Sequence, residues 1–161
     1  MKRVLLYRFD RPPTEAIVSP GSYLRPDTVE FLTAGGAVQN TSYSDIKAIC
    51  FASELGRPDL FTANNLFERR PKSPGLWARF TLRDGDRLDG ILPHNLLEWP
   101  QAGYLVTPPK SGASRQRVFL PRASLSATEL LGVVGIAAAS LPVRRPRLPA
   151  DTAGQLKIFD Q

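Results

Sequence analysis

The chain carries the same order of signals twice, and this repetition constrains its fold more than any other feature. Each half has an opening strand, a polar turn, a short strand ending at proline, an aromatic strand ending in threonine and a closing apolar run. In the first half these are Val4–Phe9, Glu15–Pro20, Val29–Thr33 and Ile46–Phe51. In the second they are Leu76–Leu82, Leu88–Pro93, Tyr104–Thr107 and Glu129–Val134. A repeat of roughly 60 residues built from short strands predicts a duplicated small β unit. A unit of that size buries only about 60% of its unfolded surface, so two of them gain by packing on each other. The 15 prolines and 12 glycines in 161 residues favour short strands and turns over long helices. The expected fold is mostly β: two tandem five-stranded small barrels at residues 1–53 and 76–136, an irregular linker at 54–75 and an extended tail at 137–161.

The second half has the cleaner pattern. Ala78, Phe80 and Leu82 fall on one face of its opening strand, and Trp77, Arg79, Thr81 and Arg83 fall on the other. Asp84-Gly85 is a tight-turn signal, after which Arg87–Leu92 returns antiparallel. Leu125–Thr128 reads as a connection leading into a last strand at Glu129–Val134. In the first half, Ser44-Asp45 reads as one 3₁₀ turn before Ile46–Phe51. Within the linker, Leu60, Phe61, Leu66 and Phe67 have the spacing of a short amphipathic helix from Asp59 to Glu68. The segment Arg144-Arg145-Pro146-Arg147-Leu148-Pro149 is too charged and proline-rich to pack, and reads as a tether.

The formal net charge of +6 favours acidic partners, such as nucleic acid or an anionic protein face. The single cysteine, Cys50, allows no disulfide within the chain and fits a reducing compartment. The longest apolar uncharged run, Leu130–Val143, falls short of the ~20 residues a membrane helix needs. The first apolar run is broken at Arg8 and Asp10, too early for a secretory signal. The chain therefore reads as cytoplasmic. Cys50 sits in an apolar run, on the face shared by Ile46 and Ala48, as a small buried hydrophobe would. His94, the one histidine, lies in a turn. No carboxylate pair, metal-ligand cluster or phosphate-cradling glycine loop stands at a telling spacing. The sequence thus predicts no catalytic residues, no metal and no cofactor.

Five short strands, with a DG turn after the first and a connection before the last, resemble an Sm-like or SH3-like small barrel. The likeness covers the second half best. It implies nucleic-acid contacts in the loops after the second and fourth strands, where this chain offers His94 and Asn95, and Arg115 and Arg117. Arg79 and Arg83 form an Arg-x-x-x-Arg pair, with Arg87 just past the turn. That pair resembles the anion-clamping start of PilZ domains, which implies an anionic nucleotide as ligand. The companion Asp/Asn-x-Ser pattern is absent downstream, and Asn40-Thr41-Ser42 lies upstream. Tyr43–Phe51 together with Gly75–Phe80 is also similar to a family of uncharacterised bacterial proteins, which implies no activity. Near the end, Gln155-Leu156-Lys157-Ile158-Phe159 resembles the bacterial sliding-clamp-binding peptide, Gln-Leu-x-Leu-Phe. Leu156, Ile158 and Phe159 would fill an apolar groove while Gln155 supplies directional hydrogen bonds. The leading expectation is a non-enzymatic adaptor docking a protein partner through this peptide. A nucleic-acid-binding module and an anionic-nucleotide sensor are the alternatives.

Overall fold

The computed structural model describes residues 1–51, 60–61, 65–109 and 116–135. Ten strands run through them: β1 (Lys2–Arg8), β2 (Thr14–Val18), β3 (Thr28–Thr33), β4 (Val38–Ser42), β5 (Ile46–Phe51), β6 (Gly75–Leu82), β7 (Arg87–Leu92), β8 (Gly103–Val106), β9 (Arg117–Pro121) and β10 (Leu125–Val134). Short 3₁₀ turns occupy Tyr43–Asp45, Leu96–Glu98 and Arg122–Ser124. The protein is mostly β, as the short alternating runs dictate, and every pairing between named strands is antiparallel.

The strands form two sheets. A seven-stranded sheet has the order β4-β3-β2-β1-β5-β9-β8, and a three-stranded sheet has the order β10-β6-β7. No closed barrel is formed by the described residues, and the larger sheet continues from the first half into the second through β5 and β9. An isolated bridge, Ile91 to Thr107, links β7 to β8 across the gap between the sheets. At that corner the Gly90 backbone lies so close to Val106 that an added Cβ would sit 2.7 Å from its side chain. Glycine lets the strands approach there.

Two apolar clusters follow from this arrangement. One lies inside the first half and gathers Val4, Leu6, Val18, Val29, Phe31, Ile46 and Ile49 with Phe119. The other lies between the sheets and gathers Leu5, Tyr7, Ala48, Cys50, Phe80, Leu88, Val118 and Leu120. Strand β1 feeds both, Val4 and Leu6 to one side and Leu5 and Tyr7 to the other. A strand covered on both faces reads as a continuous apolar run, as Val4-Leu5-Leu6-Tyr7 does.

One local feature recurs in both halves. In each half a 3₁₀ turn leads into the closing strand, and in each the second residue of that strand is skipped by the pairing register. Arg8 pairs with Ile46 and Tyr7 with Ala48, leaving Lys47 out. Leu82 pairs with Leu125 and Thr81 with Ala127, leaving Ser126 out. The bulge separates Ile46 from Ala48 and Cys50: the expected shared face is divided between the two clusters. It also moves the structural equivalent of Ile46–Phe51 to Leu125–Leu130. The anticipated connection at Leu125–Thr128 is strand, held by β6. The helix expected over Asp59–Glu68 is not found where the chain is described, at 60–61 and 65–68. There Asn65 bridges Leu88 in parallel, with its N–H donating to Arg87 O at 3.1 Å and its carbonyl accepting from Asp89 N at 2.8 Å. The backbone donors of β7 outcompete the isolated amphipathic pattern, because a short helix is marginal without a long buried face.

Phe119 is fully buried in the first half's cluster although it comes from the second half. Phe119→Ala is expected to cost about 3–5 kcal/mol. The fluorescence of Trp77 and Trp99 and the far-UV circular dichroism should report one urea transition, shifted together. A tryptophan transition left in place by the substitution would show that the halves unfold separately.

Candidate anion-binding groove

The β6–β7 hairpin tip docks against the first half through charged groups. The bulge at Lys47 turns its side chain toward that tip. Its Nζ donates to Asp84 Oδ2 at 2.6 Å and to Asp86, and it lies 4.2 Å from the centre of the Phe61 ring. Asp84 also accepts the Asp86 backbone N–H at 3.1 Å. Arg83 donates to the Ser44 carbonyl at 2.6 Å, and its guanidinium stacks 4.4 Å from the centre of the Phe9 ring. Lys47 is buried, so these bonds replace its lost hydration.

Beside this contact opens a groove of about 460 Å³. The end of β1 and the following turn supply Arg8, Phe9, Asp10 and Arg11. Strand β4 supplies Asn40, Thr41 and Ser42, the 3₁₀ turn supplies Ser44 and Asp45, and the hairpin supplies Arg83. Arg8 Nε is buried and, among the described residues, meets no hydrogen-bond acceptor. The Arg8 guanidinium lies 5.8 Å from the centre of the Phe31 ring at the edge of the groove. Arg11 pairs with Asp10 at 3.1 Å, and its hydrogen bond holds the exposed Asp10 carboxyl below the ordinary range. The lining therefore offers the guanidinium groups of Arg8, Arg11 and Arg83, hydroxyls and an amide beside two carboxylates, Asp10 paired with Arg11 and Asp45, and keeps a positive formal charge. Such a set suits an anion with several acceptor oxygens.

The residues singled out by sequence are distributed differently. Arg83 lines the groove together with Asn40, Thr41 and Ser42. Arg79 is not available as the partner arm of a clamp. Its guanidinium grips Asp89 at 2.7 and 3.1 Å, which raises its pKa. Asp89 is 0% exposed and also accepts Trp77 Nε1 at 3.1 Å and Phe67 N at 2.9 Å. This buried hub was missed by sequence reasoning; the signal for it is that Asp89 is the only acid in Arg87–Leu92. Arg87 is half-buried at the start of β7, where its carbonyl receives Asn65. His94 and Asn95 are exposed, and Asn95 caps the turn at Leu96–Glu98 by accepting Leu97 N at 3.1 Å. Arg117 is exposed and pairs with Phe51 in the sheet. Arg115 and the peptide residues Gln155, Leu156, Ile158 and Phe159 lie outside the described residues.

Burial pushes the Cys50 thiol up to about 11, so it stays protonated near neutral pH. Trp77, Trp99, Tyr104 and Phe119 pack rather than stand free: Trp99 lies edge-on to Tyr104, and its indole N–H bonds Pro93 O at 3.0 Å. Among the described residues no group of histidine, cysteine and acidic side chains is placed to hold a metal ion.

A family model matches residues 1–132, and it describes a family of unknown function, DUF6982. The chain belongs to that family. No curated protein and no solved structure matches it. Among the described residues, no helix is long and apolar enough to cross a membrane.

Asp84 provides a test of the hairpin contact. Burial raises its pKa, but the Lys47 hydrogen bond, the backbone bonds and the Lys47 charge together bring it below the ordinary 3.8. With the folded value depressed, its stabilising contribution is complete above 3.8 and is lost as the pH falls through the folded pKa. In Lys47→Met the Asp84 midpoint, followed by carbon-detected NMR, should move upward. An unchanged midpoint would show that Lys47 does not hold the hairpin in solution.

Proposed function

We propose that this protein is a non-enzymatic binding module that takes an anionic, phosphate-bearing ligand of the nucleotide class in the groove beside the β6–β7 hairpin. The observation that carries this reading is the convergence of Arg8 and Arg83, from opposite halves, on Asn40-Thr41-Ser42. Arginine presents several N–H groups in a rigid plane and matches phosphate oxygens in pairs. The hydroxyls and the Asn40 amide add directional bonds that a bare charged surface lacks. Phe9, already under Arg83, offers an apolar edge to a base.

In the same reading each half is a small-barrel unit of the Sm-like or SH3-like kind. The order β5-β1-β2-β3-β4 in the first half is matched by β10-β6-β7, continued through the Ile91–Thr107 bridge to β8-β9, in the second. The peptide Gln155, Leu156, Ile158 and Phe159 adds a tether to a protein partner, for which the bacterial sliding clamp is the candidate. The nucleic-acid reading is weaker, because Arg79 is committed to Asp89 and Asn95 to its cap.

The test is an NMR titration of the full chain at low ionic strength with cyclic dinucleotides and, separately, with inorganic pyrophosphate. Amide shifts at Asn40–Ser44 and Arg83 are expected to move in at least one series. Arg83→Met should weaken that binding by about tenfold or more, the loss expected for a charge-assisted bond. Spectra unchanged at millimolar concentrations of both probes would end the proposal.

A further inference from the structure

The two halves meet by pairing the closing strand of the first, β5, with the fourth strand of the second, β9. The contact is head-to-tail: it joins different edges of two equivalent units. The equivalent edges at the outer ends are left over. Among the described residues β4 pairs only with β3, and β10 pairs only with β6. Open strand edges are templates for further pairing.

Superposing the turn Tyr43–Asp45 on Arg122–Ser124 carries β4 onto β9 and the start of β5 onto the start of β10. The shared bulge at Lys47 and Ser126 pins this alignment to the residue. The internal junction pairs Ile49 with Phe119, Cys50 with Val118 and Phe51 with Arg117. Carried to the outer edges, the same register pairs Thr128 with Asn40, Glu129 with Gln39 and Leu130 with Val38. Polar residues meet polar residues, and the one apolar pair brings together two of the most exposed large hydrophobic side chains, Leu130 and Val38, each 63% exposed. Isolated, each is an unprotected apolar residue on an open edge. Opposite each other they form a cross-strand pair.

We infer that β10 of one copy pairs with β4 of a second copy, repeating between molecules the junction that already joins the two halves. The contact is heterologous, so it propagates into a ring or a filament instead of stopping at a dimer. Arg70, which bonds the Val133 carbonyl at 2.6 Å, sits beyond the register at the far end of β10 and leaves Thr128–Leu130 clear.

Sedimentation velocity on the full chain over a range of concentrations should show species larger than a dimer. Val38→Lys and Leu130→Lys alter exposed side chains, and each should weaken association by about tenfold or more by placing a charge on a pairing edge. Mixing the two variants is decisive: one retains a native β10 edge and the other a native β4 edge, so the mixture should form a dimer that neither forms alone. A wild-type monomer at all concentrations would overturn the inference, the edges then being covered within the chain. An association lost in Leu130→Lys but intact in Val38→Lys would overturn it too, since that marks a symmetric β10–β10 contact.

Discussion

Strand β9 belongs to the second half by sequence and to the first half's sheet by hydrogen bonding, and the molecule depends on that crossing. Phe119 enters the apolar cluster of the first half while its neighbours Val118 and Leu120 face the cluster between the sheets. The period-two alternation of a strand makes this possible with three consecutive residues. Neither half encloses its apolar residues alone: the first lacks Phe119, and the second lacks the cover of Leu5, Tyr7, Ala48 and Cys50. The two halves of the chain become one body by sharing a sheet.

A second constraint acts through one residue. The bulge in β5 frees Lys47 from the pairing, and the buried ammonium is neutralised by the acids of the opposite hairpin. That contact sets the position of Arg83, which bonds Ser44 and stacks on Phe9. The groove thus follows from backbone geometry: an extra residue in one strand, a charged hairpin tip, and the polar strand β4 beside them. The bulge recurs at Ser126 without a charged side chain, so the backbone feature is common to both strands while the ionic contact with the hairpin is made at Lys47.

Much of the scaffold was legible in the residues. Ile46–Phe51 and Arg87–Leu92 form strands with the expected bounds, because each is a β-rich run closed by polar turn residues on at least one side. Asp84-Gly85 makes the expected turn, with Gly85 at φ 92°. The start of β10 was hidden because Leu125–Thr128, although it alternates apolar and polar residues, is short and only weakly apolar, and its strand form comes from pairing with β6. The site was less legible still. Arg79 and Arg83 look equivalent on one strand face, yet Asp89 lies directly across from Arg79 in the register and claims it. Arg8 and Arg11 bear no spacing relation to Arg83 and enter the groove only through the docking of the hairpin.

By itself, the order of apolar and turn residues determined that the chain is β-rich and where most of its strands lie. These are local properties, set by side-chain alternation and by the residues that break it. Which strands pair across the halves, which arginine is consumed by a buried acid and which edges stay open were decided only in three dimensions. Those outcomes depend on competition between distant partners for the same donors, acceptors and apolar surface, and no window of neighbouring residues contains both competitors.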